Sequence, residues 1–434
     1  MLYVRSSKPS PRLRYALDIV LGRMLGFSWH LAEPGETVQG PVIAYDLRAE
    51  SDEFQILPCG LLEEEQIRSE FPEIFPGAFP YLFPAETGFP FDVLSASFWL
   101  SSDYEKYQAL YIDAHGRYAS GAYPSASLGL DRQPLIRRWA QALLEALEAH
   151  FGAQLPPRQP PAFTCTLSFD IDSPWKYRHK PFFVQAGGWV KDMLKRDADA
   201  LQERRKALFQ QEDPFDTFGL IARHCPPAHT RFFFLIGRRS PYDGRHTWRN
   251  RSYRRLIRHI AAQGYPCGIH PSYETAQKPV WQSLEKDALS RILNSPVSSS
   301  RQHFLRYRYP DTFQGLISCG IGEDYSLALP ETGGFPCGMD RPWPWFDLIR
   351  NQLTPLILYP TILMDRSLQQ YLRLTPEAAA ARARELLDCT REGGGNFVLL
   401  LHNESLSESA EWKGWRQMWL DLVKLSLNYL AATT

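Results

Sequence analysis

Cys165-Thr166-Leu167-Ser168-Phe169-Asp170-Ile171-Asp172 is an apolar, partly β-branched run that ends in two carboxylates one residue apart. The stretch from Phe163 to Phe169 has the composition of a buried strand. Side chains alternate along a strand, so Asp170 and Asp172 point the same way at its carboxyl end. Two anions held that close repel unless a cation or a shared proton relieves them. A turn cap ahead of Pro174 would also use both carboxylates, and the rest of the chain has to separate the two readings.

Downstream, one theme recurs: an apolar strand, a polar cluster, then a helix. Arg231 to Gly237 reads as a strand, Tyr253 to Gln263 as a helix stopped by Gly264, and Tyr265 to Ile269 as a strand ending at His270-Pro271-Ser272-Tyr273-Glu274. Leu356 to Leu363 reads as a strand ending near Asp365. Thr375-Pro376-Glu377 opens a helix that Gly393-Gly394-Gly395 closes, and the strand Phe397 to Leu401 ends at His402-Asn403-Glu404. This alternation predicts parallel strands with right-handed crossovers, an α/β barrel. In such barrels the chemistry sits after the carboxyl ends of strands, where Asp170, Asp172, His270 and His402 all fall. One His with one or two carboxylates suits a divalent metal of the Zn, Co, Fe or Mn type. An open coordination position on such a metal leads to hydrolysis of an amide or ester by activated water.

Upstream, Gln154-Leu155-Pro156-Pro157-Arg158-Gln159-Pro160-Pro161 reads as an extended linker. The expected division is a mixed α/β domain over 1–153, a linker over 154–161 and a barrel over 162–434. In the first part, Leu13, Leu17, Val20, Leu21, Met24 and Leu25 lie at helical spacing after Pro11. Pro41 to Leu47 reads as a strand, Phe71 to Phe91 as irregular and Phe91 to Tyr107 as a helix. Asp113 to Tyr118 reads as a turn. Pro134 to His150 reads as a helix with Leu135, Trp139, Leu143 and Leu147 along one stripe.

At 434 residues the chain is too long for one ordinary core. Lys plus Arg equals Asp plus Glu at 48 each, so no global charge favours nucleic acid or an anionic membrane. Arg238-Arg239 and Arg249 to Arg258 read as solvated helix faces. Seven scattered cysteines without a Cys-x-x-Cys pair suggest reduced thiols and argue against a zinc-thiolate site. The N-terminus lacks the pattern of a cleaved leader, and no apolar run approaches the roughly 20 residues of a membrane span. The expected location is the cytoplasm.

Taken in order, Ser168-Phe169-Asp170-Ile171-Asp172, Gly268-Ile269-His270-Pro271-Ser272, Arg301-Gln302-His303-Phe304-Leu305-Arg306, Asp324-Tyr325-Ser326-Leu327 and Leu399-Leu400-Leu401-His402-Asn403 resemble the polysaccharide deacetylase family. These are NodB-like carbohydrate esterases, and the resemblance implies a distorted (β/α) barrel over about residues 161 to 434. Ala96 to Ser101 and Asp113 to Tyr118 resemble the N-terminal domain that accompanies one bacterial branch of the family. The resemblance implies Asp170 as general base and Asp172 and His270 as metal ligands. It also implies Arg301 as the group orienting Asp170 through a bidentate contact, and His402 as general acid. The implied substrate is an N- or O-acetylated sugar, in the cytoplasm a precursor rather than finished polymer. Glu274 stands where many members have a second metal His, and is the expected third ligand, with His303 as its replacement. Pro336 stands where an Arg is expected in this branch, so a substrate contact is missing there. The alternative is a catalytically silent barrel that binds a glycan or a partner protein.

Overall fold

The computed structural model describes residues 1–432 apart from Pro34, Ala109, Leu110 and Arg239. The Arg239 of the Arg-rich pieces therefore lies outside the described residues. Arg238 sits in a loop, whereas Arg251, Arg255 and Arg258 are exposed on the helix Arg251–Ala262, as expected of a solvated face.

The first part is built on four short strands, β1 (Leu2–Arg5), β2 (Trp29–Leu31), β3 (Val42–Tyr45) and β4 (Phe54–Ile56). They form an all-parallel sheet in the order β2-β1-β3-β4. The helix expected from Pro11 begins there, with the Ser10 hydroxyl accepting from the Leu13 N–H. It widens into π-type turns over Asp18–Met24, and its apolar stripe is buried throughout. Leu135–Phe151 is a helix with Leu135, Trp139, Leu143 and Leu147 all buried. The helix expected from Phe91 to Tyr107 is shorter, Val93–Ser101. Ser101 and Ser102 donate back to the Ser97 and Phe98 carbonyls, and Asp103 then turns left-handed at φ 54° and ends it.

The second part holds nine strands: β5 (Thr164–Ile171), β6 (Thr230–Phe234), β7 (Cys267–Ile269), β8 (Ser299–Ser300), β9 (Glu323–Asp324), β10 (Trp343–Asp347), β11 (Gln352–Leu358), β12 (Thr361–Met364) and β13 (Asn396–His402). Their order is β10-β11-β9-β8-β7-β6-β5-β13-β12, parallel throughout except for β10 against β11. The single strand expected over Leu356 to Leu363 is thus two strands. Pro360 between them has no N–H to give a ladder, and the chain changes neighbours there. This break also sets the curvature. β11 and β12 stand far apart in the sheet order, yet only Tyr359-Pro360 joins them, a span of at most about 10 Å. The sheet must curl until its two ends nearly meet, and a parallel bridge between Ala328 and Thr361 narrows the gap further. The result is a distorted (β/α) barrel with its helices outside.

Residues 156–163 run without helix or strand, as the prolines require. The stretch is nonetheless pinned, because the Gln159 N–H donates to the Gly26 carbonyl at 2.8 Å. Any Cβ on Gly26, at φ 75°, would fall 1.9 Å from the Gln159 oxygen. Buried apolar side chains from both parts join in one large cluster.

Candidate metal and catalytic centre

The strand ends converge as the alternation requires. Asp170 and Asp172 leave the end of β5, His270 follows β7, Arg301 and His303 follow β8, Asp365 follows β12 and His402 ends β13. Asp170 and His402 face each other in register across β5 and β13. Two glycines permit this closeness. A Cβ on Gly268 would sit 2.6 Å from the Phe233 ring and 2.7 Å from Ser299 Oγ, so β7 fits between β6 and β8 only without one. A Cβ on Gly244 would fall 1.9 Å from the Asp172 carbonyl oxygen, so the loop carrying Asp243 presses its bare backbone onto the β5 end.

Asp172, His270 and His303 present donor atoms that all lie within 4.8 Å of one another. Asp172 Oδ1 is 3.2 Å from His270 Nε2, and Oδ2 is 3.5 Å from His303 Nε2. The orientation of each ring is fixed from behind. His270 Nδ1 donates to the Arg301 carbonyl, and His303 Nδ1 donates to Asp243 Oδ1 at 3.1 Å. In the neutral rings both Nε2 lone pairs therefore face Asp172. Asp243 is itself held by the N–H groups of Ser240 and Tyr273, each at 2.8 Å. Asp172 Oδ1 is buried and has no hydrogen-bond partner among the described residues. An orphaned carboxylate oxygen facing two imidazole lone pairs is the donor set that suits a divalent cation.

The charges tell the same story. Burial would raise the Asp172 carboxyl, but the imidazoles of His303 and His270 outweigh it and hold it well below the usual carboxylate range. Burial pulls His303 down, whereas Asp172 and Asp243 push it up to about 9. The site thus attracts positive charge, as a proton or as a metal. Backbone strain accompanies it, since Phe304 and Leu305 both adopt left-handed angles, φ 60° and 55°. Such residues cost on the order of 1–3 kcal/mol each and cluster at ligand-binding loops.

Beside this group, fully buried Arg301 donates from Nη1 to Asp170 Oδ1 at 2.9 Å. The contact is single rather than bidentate, because Nε donates to the Tyr325 carbonyl at 3.0 Å and Nη2 to Thr361 Oγ1 at 3.2 Å. Asp170 Oδ2 is left 3.7 Å from His270 Nε2. On the other wall, His402 Nδ1 donates to Asp365 at 3.0 Å, which turns Nε2 towards Asp172 Oδ2 at 3.6 Å. Burial lowers His402, but Asp365 and Asp172 outweigh it and push it up to about 9.

The structure does not bring Glu274 to this group. Reaching a position four residues past His270 would need a helical turn, but Ser272 is extended at ψ 160° and a 3₁₀ turn starts only at Tyr273. Glu274 does not line the cavity, and His303 supplies the third donor instead. Pro336 is elsewhere too. Its segment docks on the first part, with the Phe335 N–H donating to the Leu130 carbonyl at 2.7 Å. Sequence reasoning missed Asp243, which sits in an unmarked loop, and the part of Asp365 as partner of His402. It also missed that His115 and Arg117, in the Asp113 to Tyr118 turn, line the cavity of about 410 Å³ together with Asp170, Asp172, His270 and His402.

Residues 2–152 match the model of a family of unknown function, DUF7033. No curated protein matches the chain. Among solved structures the chain is similar to a probable polysaccharide deacetylase from Pseudomonas aeruginosa, at 11% identity and TM-score 0.40, over 64% of this chain and 90% of that one. It is similar to a polysaccharide deacetylase from Bacillus cereus at 12% identity and TM-score 0.32, over 61% and 88%. It is also similar to a CE4 family pseudoenzyme from Bacillus anthracis at 9% identity and TM-score 0.30, over 63% and 66%. The second part of the chain is thus a distorted (β/α) barrel whose curled, mostly parallel sheet gathers the ordered motifs at its carboxyl ends.

Proposed function

We propose that the chain is a metal-dependent hydrolase that removes an acetyl group from an N- or O-acetylated sugar. The observation that carries this reading is the convergence of Asp172, His270 and His303 in one cavity with the Arg301-held Asp170 and the Asp365-held His402. When bound, a divalent cation supplies a Lewis acid that makes water nucleophilic near neutral pH. Asp170 is the proton acceptor, because Arg301 fixes one of its oxygens and leaves the other towards the cavity. His402 carries a proton at Nε2 and gives it to the departing amine or alkoxide, while Asp365 keeps the ring oriented and balances its charge. Leu305, Met364 and Leu400 form a small apolar cluster on the cavity wall, a fitting seat for an acetyl methyl. Tyr242, Phe304 and Tyr371 offer faces for a sugar ring.

The silent-barrel alternative drew on the missing second histidine and on Pro336 in place of an arginine. His303, whose ring nitrogen lies within 4.8 Å of the Asp172 and His270 donor atoms, supports the enzyme reading over it.

Elemental analysis of protein purified without chelator tests the reading. We expect about one equivalent of a divalent metal in wild type and in Glu274→Ala, and loss of metal in Asp172→Ala, His270→Ala and His303→Ala. His402→Ala should keep the metal while slowing acetate release from acetylated chito-oligosaccharides on the order of a hundredfold or more. Metal-free wild type after incubation with zinc, cobalt or manganese sinks the proposal.

A further inference from the structure

The helix Phe182–Leu194 faces the wrong way for a globular protein. None of its residues is buried. At 100° per residue, Phe182, Phe183, Ala186, Val190, Met193 and Leu194 fall within an arc of about 120°. That whole arc is exposed, with Phe182 at 86%, Phe183 at 74% and Leu194 at 80%. The polar side makes the attachment instead. Arg204, on the returning helix Ala198–Arg205, donates to Asp192 Oδ2 at 2.9 Å and to Gln185 Oε1 at 3.1 Å, and its guanidinium lies against Gly188. A helix that spends its polar face on the protein and offers its apolar face to water is built for a second, apolar surface.

Charge says which surface. The chain as a whole is neutral, but between Lys176 and Gln211 it carries nine Lys and Arg against four Asp and Glu. Lys191, Lys195 and Arg196 are exposed at the carboxyl end of this helix. Thirteen residues are too few to cross a bilayer, and no helix among the described residues is long and apolar enough to do so. Phe, Val, Met and Leu exposed on one face, with Lys and Arg at its end, describe a helix lying in the headgroup plane of an anionic bilayer.

We infer that the hairpin 180–211 docks the protein peripherally on an anionic membrane surface. Its location gives the docking a purpose. Phe182 is only ten residues beyond Asp172, and Lys176 and Tyr177 at the hairpin base bind Glu203 at 2.8 and 3.1 Å. The hairpin belongs to the excursion that leaves the carboxyl end of β5, the end at which the cavity lies, and this suits an amphiphilic, lipid-anchored substrate. The docking stands independently of whether the centre turns over.

Co-sedimentation of the full chain with vesicles tests this, using phosphatidylcholine alone and phosphatidylcholine mixed with phosphatidylglycerol. Wild type should pellet with the anionic vesicles and stay largely in solution with the neutral ones. The Phe182→Ser/Phe183→Ser/Leu194→Ser variant should stay in solution with both, with an unchanged melting temperature because those side chains support no core. Lys191→Glu/Lys195→Glu/Arg196→Glu should lose the preference for anionic lipid. Wild type that ignores both vesicles, or a triple-Ser variant that pellets as wild type does, overturns the proposal. So does a wild-type dimer in sedimentation velocity that the triple-Ser change converts to monomer, since a second copy would then be the natural cover.

Discussion

At His246 a single ring nitrogen couples stability to acid. Nε2 donates to the Arg178 carbonyl at 3.0 Å, while Nδ1 is buried with no hydrogen-bond partner among the described residues. A second proton would have to sit on Nδ1, in apolar surroundings and without an acceptor. Burial accordingly pushes this histidine down to about 4. The folded value lies below the unfolded one of 6.5, so between them the unfolded chain binds more protons and stability falls as pH falls. From pH 7 to pH 5 this single residue should remove about 2 kcal/mol. Urea titrations at the two pH values should show a larger loss in wild type than in His246→Phe. Equal losses would mean that His246 charges freely in the folded protein. The same residue scale explains why His303, rather than Glu274, joins the candidate metal group: a four-residue spacing puts two side chains together only on a helix, and the backbone after His270 is extended.

At the scale of elements, β7 shows how tightly the sheet is drawn together at the centre. Gly268 has no unusual backbone angle, and what it provides is room, since a methyl group there meets both Phe233 and Ser299. Gly268→Ala should cost about 1–3 kcal/mol through overpacking. Gly322→Ala, whose Cβ would meet nothing within 4 Å, is the matched control and should move the urea midpoint little. Equal midpoints for the two variants would show that β6 and β8 can spread at no cost. Elements of this kind differ in how far they can be read in advance. β5 and β13 were legible because long apolar runs stop at charged residues. β8 and β9 have two residues each and carry no periodicity, so they are visible only through the sheet that pairs them. The break at Pro360 was hidden inside one continuous apolar run, because hydrophobicity alone does not reveal a change of neighbours. Asp243 was invisible for another reason, as its position depends on Gly244 packing against Asp172 across the fold.

The whole molecule turns on β10. It is the last strand in the sheet order and carries edge devices, Pro344 and a register shift between Pro344 and Phe346, yet all five of its residues are buried. The first part covers it. Phe346 packs against Tyr15 and Phe98 at ring separations of 5.1 and 5.2 Å, and Trp343 Nε1 donates to the Ser101 carbonyl at 2.9 Å. Next to it, fully buried Asp340 pairs with Arg137 at 2.8 Å and with Arg341 at 2.9 Å. Removing the first part would bare Trp343 and Phe346 and leave Asp340 with one guanidinium fewer in an apolar setting. The proline-rich stretch is thus a seam in the sequence but not in the stability, and we expect the two parts to unfold together. Tryptophan fluorescence and far-ultraviolet circular dichroism should trace coincident urea transitions for the full chain. A fragment covering 162–434 should aggregate or lack a cooperative transition, because its exposed strand would offer both an unpaired edge and an aromatic face. Two separated transitions, or a fragment that melts cooperatively by itself, would make the first part an independent appendage. The contacts of His115 and Arg117 with the cavity would then have to be supplied by docking rather than by a shared core.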